Sequence, residues 1–165
     1  MRILGIDPGL ATMGYGIIDK IGNEIKLIKY GTVSTPAGQP FPLRLKSIDF
    51  QLTNLLNDYK PDEIAFEELF FQRNVTTAFT VGAARGVAIC VCARFKPDEL
   101  YEYTPLQIKQ AIVGYGRAEK QQIQQMVKLM LKLDEIPKPD DAADAIACAL
   151  THAGTGAHKL MFKMK

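Results

Sequence analysis

The chain is poor in the features that would mark it for secretion or a membrane. It has three cysteines, an odd number, and Cys90, Cys92 and Cys148 all stand in apolar surroundings. Such a set excludes a framework of paired disulfides and fits reduced core residues in a cytosolic protein. Cys90 and Cys92 are two apart on a predicted helix, so they face different ways and make poor zinc ligands. No apolar run approaches the roughly 18 residues of a membrane span, and nothing at the N-terminus reads as a secretory signal. The expected location is the cytoplasm, with no membrane partner. Linkers, internal repeats and low-complexity segments are also missing. The 165 residues are therefore read as one domain over 1–153 and a basic, flexible tail over 154–165.

A strong charge of one sign is lacking too. The formal net charge is +2, which alone argues only weakly for a polyanionic partner. Its distribution says more. Residues 69–97 carry Arg73, Arg85, Arg94 and Lys96 with no acid, and residues 103–133 carry Lys109, Arg117, Lys120, Lys128 and Lys132 against Glu119 alone. The bland reading is a scatter of solvated cations; the sharper one is a basic face.

What is present is ordinary globular material, 47% hydrophobic and 23% charged. Arg2–Asp7 reads as a buried strand stopped by Pro8-Gly9. Tyr15–Lys20 and Glu24–Val33 read as a hairpin turned by Ile21-Gly22-Asn23. Leu45, Ile48, Leu52, Leu55, Leu56 and Tyr59 fall at helical spacing within Leu43–Tyr59. Glu63–Glu67 is a fourth strand, Asn74–Phe95 a long helix with a small-residue centre, and Leu100–Tyr103 a fifth strand. Thr104-Pro105 caps and opens a short helix to Val113. Gly114-Tyr115-Gly116 breaks the chain before helices at Ala118–Leu133 and Asp140–Ala153. This order predicts an α/β domain: a mixed sheet of about five strands with helices on both faces.

Four carboxylates stand out against that pattern. Asp7 and Glu67 each end an apolar strand, and Asp141 and Asp144 share one helix face at i and i+3. Each has a bland use: Asp-Pro-Gly is a good turn, and paired acids suit a helix N-terminus. Asp140 could serve as that cap and release Asp141. Glutamate gives little to a turn, so Glu67 is harder to dismiss; Glu68 should point the other way. Converging, the four need cations, and two Mg²⁺ ions roughly 4 Å apart are the natural answer. Mn²⁺ could substitute. Neutralising the four acids takes the net charge from +2 to +6, which suits a phosphodiester substrate. Lys109 and Lys120 flank the Gly114-Tyr115-Gly116 break and could offset transition-state charge there, or be solvated helix lysines. Phe70-Phe71-Gln72-Arg73-Asn74 follows the Glu67 strand, with one phenylalanine expected buried and one exposed for base stacking. Tyr115 is a second stacking candidate.

Taken together these residues resemble the RuvC family of Holliday-junction resolvases, within the ribonuclease H-like nuclease fold. The matching stretches are Gly5-Ile6-Asp7-Pro8-Gly9, Gly14-Tyr15-Gly16, Ala65-Phe66-Glu67-Glu68-Leu69-Phe70 and Gly82-Ala83-Ala84-Arg85-Gly86-Val87-Ala88. After them come Gln107-Ile108-Lys109-Gln110, Val113-Gly114-Tyr115-Gly116, Ala118-Glu119-Lys120 and Asp141-Ala142-Ala143-Asp144-Ala145. The resemblance implies a homodimer that makes symmetric nicks in four-way DNA and works beside the RuvAB branch-migration motor. It implies Asp7, Glu67, Asp141 and Asp144 as metal-binding acids, Lys109 and Lys120 as helper lysines, and Phe70 as the stacking aromatic. Phe71, Arg73 and Tyr115 join these as expected DNA contacts.

Two other classes share parts of the pattern. Gly-Ile-Asp-x-Gly before a hairpin resembles the first phosphate loop of the actin and sugar-kinase superfamily, but a second phosphate loop and a second domain are missing. A junction-binding module without catalysis would keep the fold and the basic surface, yet has no use for four acids. A nuclease acting on other branched or RNA-containing substrates stays open within the same class.

Overall fold

Arg2–Asp7 (β1) is the strand on which the sheet is assembled, in a computed structural model that describes residues 1–69 and 75–165. β1 is apolar at Ile3, Leu4 and Ile6, all fully buried, so it can only be a central strand. Thr12–Ile21 (β2) pairs with it antiparallel and turns at Gly22, φ +60°, into Glu24–Ser34 (β3). Phe41–Tyr59 (α1) then crosses to Glu63–Glu67 (β4), which lies parallel to β1 on its other side. Val75–Phe95 (α2) crosses to Leu100–Tyr103 (β5), parallel to β4, for a sheet order of β3-β2-β1-β4-β5. Pro105–Val113 (α3), Lys120–Met130 (α4) and Asp140–Thr155 (α5) complete the chain with a 3-10 segment over Gly156–Phe162.

The expected strands and helices are all there, with shifted ends. β2 begins at Thr12 rather than Tyr15, because its pairing with β3 continues to Thr12–Ser34. α4 begins at Lys120 rather than Ala118, since Glu119 and Gln122 close a capping box there. Thr104 caps α3 as expected, its hydroxyl accepting from the Gln107 N–H.

Period-two alternation sorts the core into two layers. Leu4, Ile6, Ile17, Ile64 and Phe66 pack under α1 and α2; Ile3, Ile18, Ala65, Tyr101 and Tyr103 pack under α3, α4 and α5. α5 comes unusually close to the sheet, and glycine is the reason. A Cβ on Gly5 would overlap the Ala145 carbonyl, one on Gly14 the Asp141 carbonyl, and one on Gly16 would lie 2.8 Å from Ile146 Cα. Alanines along α5 complete the fit from the other side.

Three expectations need correction. Cys92 and Cys148 are buried, but Cys90 is exposed, on the outward side of α2. α2 is, from Thr77 to Phe95, long and apolar enough to cross a membrane by length and composition. Sequence reading passes over this stretch because Arg85 and Arg94 interrupt it; they pair here with Glu102 and Asp49. Finally, the residues read as a flexible tail fold back on the domain. The Met164 N–H donates to the Leu100 carbonyl at 2.9 Å, and Phe162 packs on Tyr103 with ring centroids 4.8 Å apart.

That tail is tied to a buried polar network. Tyr103 Oη lies 2.6 Å from His152 Nδ1, His152 Nε2 lies 2.7 Å from Glu63 Oε2, and Lys159 Nζ donates to Glu63 Oε1. Burial works to raise the Glu63 carboxyl, but bonds from Lys159 and His152 outweigh it and its pKa falls below 4.5. Burial lowers His152 below 6.5, with Glu63 opposing. Both groups therefore contribute stability that is present at neutral pH and lost on acidification, His152 from just below 6.5 and Glu63 below 4.5.

Two outcomes are expected. Gly14→Ala should cost about 1–3 kcal/mol through overpacking and lower Tm by roughly 5 °C; an unchanged Tm would mean α5 is not held by this approach. The Tm gap between wild type and His152→Gln should narrow as pH falls from about 7 to 5. A gap constant across that range would show that His152 carries no proton-linked stability.

Candidate active site

β1 and β4 deliver two acids to one place. Ile3, Gly5 and Asp7 face the α5 side, as do Glu63, Ala65 and Glu67, because alternate residues share a face. The parallel register sets Ile6 beside Phe66, so Asp7 and Glu67 end their strands level. The first turn of α5 lies over these ends: Gly14, which faces the Asp141 carbonyl, is also the β2 partner of Asp7. Asp141 and Asp144 thus reach the same corner. The convergence expected of the four carboxylates is present in their electrostatics.

Asp7 is pushed up to about 7, by burial first and then by Asp144 and Asp141, with Lys120 opposing. Glu67 is pushed up to about 8, by burial, then Asp7 and Asp144, with Lys120 and Lys109 drawing it down. Burial also raises Asp144, against its bond to Lys120. These are half-buried carboxylates facing one another, an arrangement that favours protons or cations.

Lys120 is the cation at hand. Its Nζ lies 2.9 Å from Asp144 Oδ2 and 3.4 Å from Asp140 Oδ2. Burial works to lower its pKa, but the bond to Asp144 prevails and the net shift is upward. Lys109, from α3, joins Glu67, Lys120 and Asp144 around a cleft of about 230 Å³. Both lysines therefore border the acids.

Asp140 and Asp141 separate by environment. Neither caps α5, whose N-cap is Pro139 with no side-chain bond. Asp140 is turned to Lys120 and to Gln124, whose Nε2 donates at 3.0 Å. Asp141 is instead among the charges that raise Asp7. Sequence reading missed Gln124, and its one signal was a polar residue on the inward stripe of α4, where it is buried.

Four carboxylates present only hard oxygen donors, the set that suits Mg²⁺ or Mn²⁺ rather than a thiophilic metal. Their mutual repulsion, offset chiefly by Lys120, fits a site built for further cations. Among the described residues no three acidic, histidine or cysteine side chains yet surround one point.

The aromatic candidates divide. Phe70, Phe71 and Arg73 lie outside the described residues. Tyr115 is 46% exposed between Gly114, φ +90°, and Gly116, whose missing side chain makes room for Leu106. Glu68 is exposed, as expected for the residue after Glu67.

The family model described as crossover junction endodeoxyribonuclease RuvC matches residues 3–152. The chain is 58% identical to the crossover junction endodeoxyribonuclease RuvC of Brevibacillus brevis over 93% of this chain and 92% of that one. It is 54% identical to the protein of that name from Alkaliphilus metalliredigens over the full length of both. Among solved structures, Thermus thermophilus RuvC in complex with a Holliday junction substrate superposes with a TM-score of 0.91 at 33% identity, covering 99% of each chain. With its ribonuclease H-like sheet and with these relatives matched end to end, the chain belongs to the RuvC family of crossover junction endodeoxyribonucleases.

Proposed function

We propose that this chain is a structure-selective endonuclease that resolves four-way (Holliday) DNA junctions by paired symmetric nicks, in recombination and repair. The observation that carries the reading is the gathering of half-buried acids from β1, β4 and α5 at one sheet end, beside two lysines. Family membership supplies the substrate.

Asp7, Glu67, Asp141 and Asp144 are the residues that would hold two Mg²⁺ ions, with Mn²⁺ able to substitute. Divalent ions held there supply Lewis-acid stabilisation of the charge on the attacking and leaving oxygens of a phosphodiester. Lys109 and Lys120 set ammonium groups beside the same cleft, where they offset charge on the phosphate as its bond is cut. Partial burial of Asp7 and Glu67 weakens the screening of these interactions by water. Phe70 is assigned to base stacking at the crossover, with Phe71, Arg73 and Tyr115 as further DNA contacts.

Two symmetric nicks call for two copies of the site. The outward side of α2 supports a homodimer: Phe79 is 76% exposed, and Gly82, Gly86 and Cys90 continue an exposed, mostly small stripe at helical spacing. A two-fold axis there would present two active sites to one junction. The nuclease unit is the single domain over 1–153, with the basic segment 154–165 folded back on it. Work in the cytoplasm beside the RuvAB branch-migration motor belongs to the same proposal, and family membership supports it.

The deciding experiment is cleavage of a labelled four-way junction beside a matched linear duplex, with Mg²⁺ and with EDTA. Paired nicks on the junction alone, lost in EDTA, are expected. Tight binding without nicking would favour a junction-binding module, and inactivity on the junction would turn attention to RNA-containing substrates. Asp7→Asn should keep junction binding but lose cleavage. Outer-shell changes at metal sites already cost about 10–100-fold, so a lost ligand should cost more, and normal cutting would refute its role.

Metal should also act on stability. Raised carboxyls stabilise the fold while protonated and lose that contribution as pH rises through about 7 for Asp7 and about 8 for Glu67. Mg²⁺ should therefore raise Tm more at pH 8.5 than at pH 5.5. An equal shift at both pH values would separate these acids from metal binding.

A further inference from the structure

We propose that the groove on the other flank of Asp141 is a phosphate subsite for the DNA strand next to the cut, and that the Arg44 guanidinium reads it. This rests on the junction-nuclease reading. The groove, about 420 Å³, is lined by the Gly9–Thr12 turn, Arg44, Thr80 and Asp141, among others. Asp141 is therefore shared ground: it lines this groove and is also among the charges acting on Asp7. A strand whose scissile phosphate sits at the acids has to continue past them, and this hollow opens directly beside them.

The charge on Arg44 is what asks for a ligand. Arg2, Arg85 and Arg94 each pair with a carboxylate, Asp19, Glu102 and Asp49 respectively. Among the described residues Arg44 has no acidic partner, although it is half-buried. Among the described residues the guanidinium bonds to Thr35 alone: Nε donates to the Thr35 hydroxyl at 2.8 Å, and one terminal nitrogen to the Thr35 carbonyl at 3.4 Å. A guanidinium held by its inner edge, without a counter-ion, presents its remaining N–H groups for an anion. The other terminal nitrogen has no partner among the described residues.

Thr35 makes the arrangement rigid. Only 4% exposed, it accepts from Arg44 while its hydroxyl donates to the Leu10 carbonyl at 2.6 Å. Its N–H donates to the Ala11 carbonyl at 3.0 Å. One buried residue thus fixes both the cation and the turn that faces it. Gly9 lets that turn fold tightly, since a Cβ there would overlap the Thr12 carbonyl. Thr12 and Thr80 add hydroxyl-bearing residues to the lining, which suits phosphate and sugar oxygens better than an apolar ligand. Thr35 is accordingly a positioning residue, and Arg44 the one that touches the strand.

The test is single-turnover cleavage of four-way junctions in which each phosphate within two positions of the cut is replaced, one at a time, by a neutral methylphosphonate. In the wild type one flanking position should slow cleavage about tenfold, the size of one lost charge-assisted bond. Arg44→Gln should slow cleavage of the unmodified junction by a similar factor and be indifferent to the modification at that position alone. Thr35→Val should reproduce the indifference with the fold intact by circular dichroism. Penalties that multiply at every position, or Arg44→Gln cutting at the wild-type rate, would overturn the subsite. The wild-type scan keeps the proposal testable even if a variant fails to fold, because no sensitive flanking phosphate means no subsite. Failure of the wild type to cut the unmodified junction would instead overturn the nuclease reading and this inference with it.

Discussion

The close approach of α5 to β1 and β2 is the constraint on which the rest depends. Gly5, Gly14 and Gly16 remove the side chains that would hold the helix away, and alanine faces them from the helix. A helix packed on a sheet in the ordinary way stands off by the thickness of its side chains. Here that layer is nearly absent over the strand that carries Asp7. Asp141 and Asp144, which belong to the helix, are thereby brought to the acids that belong to the sheet.

That proximity works against stability at one end of the helix and for it at the other. At its N-terminus buried carboxylates raise one another's pKa and are held chiefly by Lys120. At its C-terminus His152, Tyr103, Glu63 and Lys159 form a satisfied network that also fastens the chain end to the domain. The same strand alternation serves both, since Glu63 and Glu67 lie on one face of β4, four residues apart. The acid at the start of the strand is paired with His152 and Lys159, whereas the acid at its end faces other carboxylates. Burial is common to both, and the partner decides which role results.

Much of this was legible along the chain. Short apolar runs located β1 and β4, the first stopped by Pro8-Gly9, and 3.6-residue spacing located α1. The acids of the site were legible for a related reason: Asp7 and Glu67 end apolar runs where a charge has no packing role. Arg44 and Thr35 were not legible. Each is an ordinary residue in its own segment, and only the fold sets the β3 end, the α1 start and the β1–β2 turn against one another. Gln124 and His152 escaped for the same reason, as polar residues whose partners are 16 and 89 positions away.

Local pattern by itself thus determined the elements, their order and the chemical type of the site, because hydrophobic period and residue identity are properties of short stretches. The family followed as well, since its motifs are short and ordered. Where Asp140 and Lys120 point and how the chain end docks were decided by tertiary structure. Each depends on distances between segments far apart in sequence, and burial turns those distances into shifted protonation and paired charge.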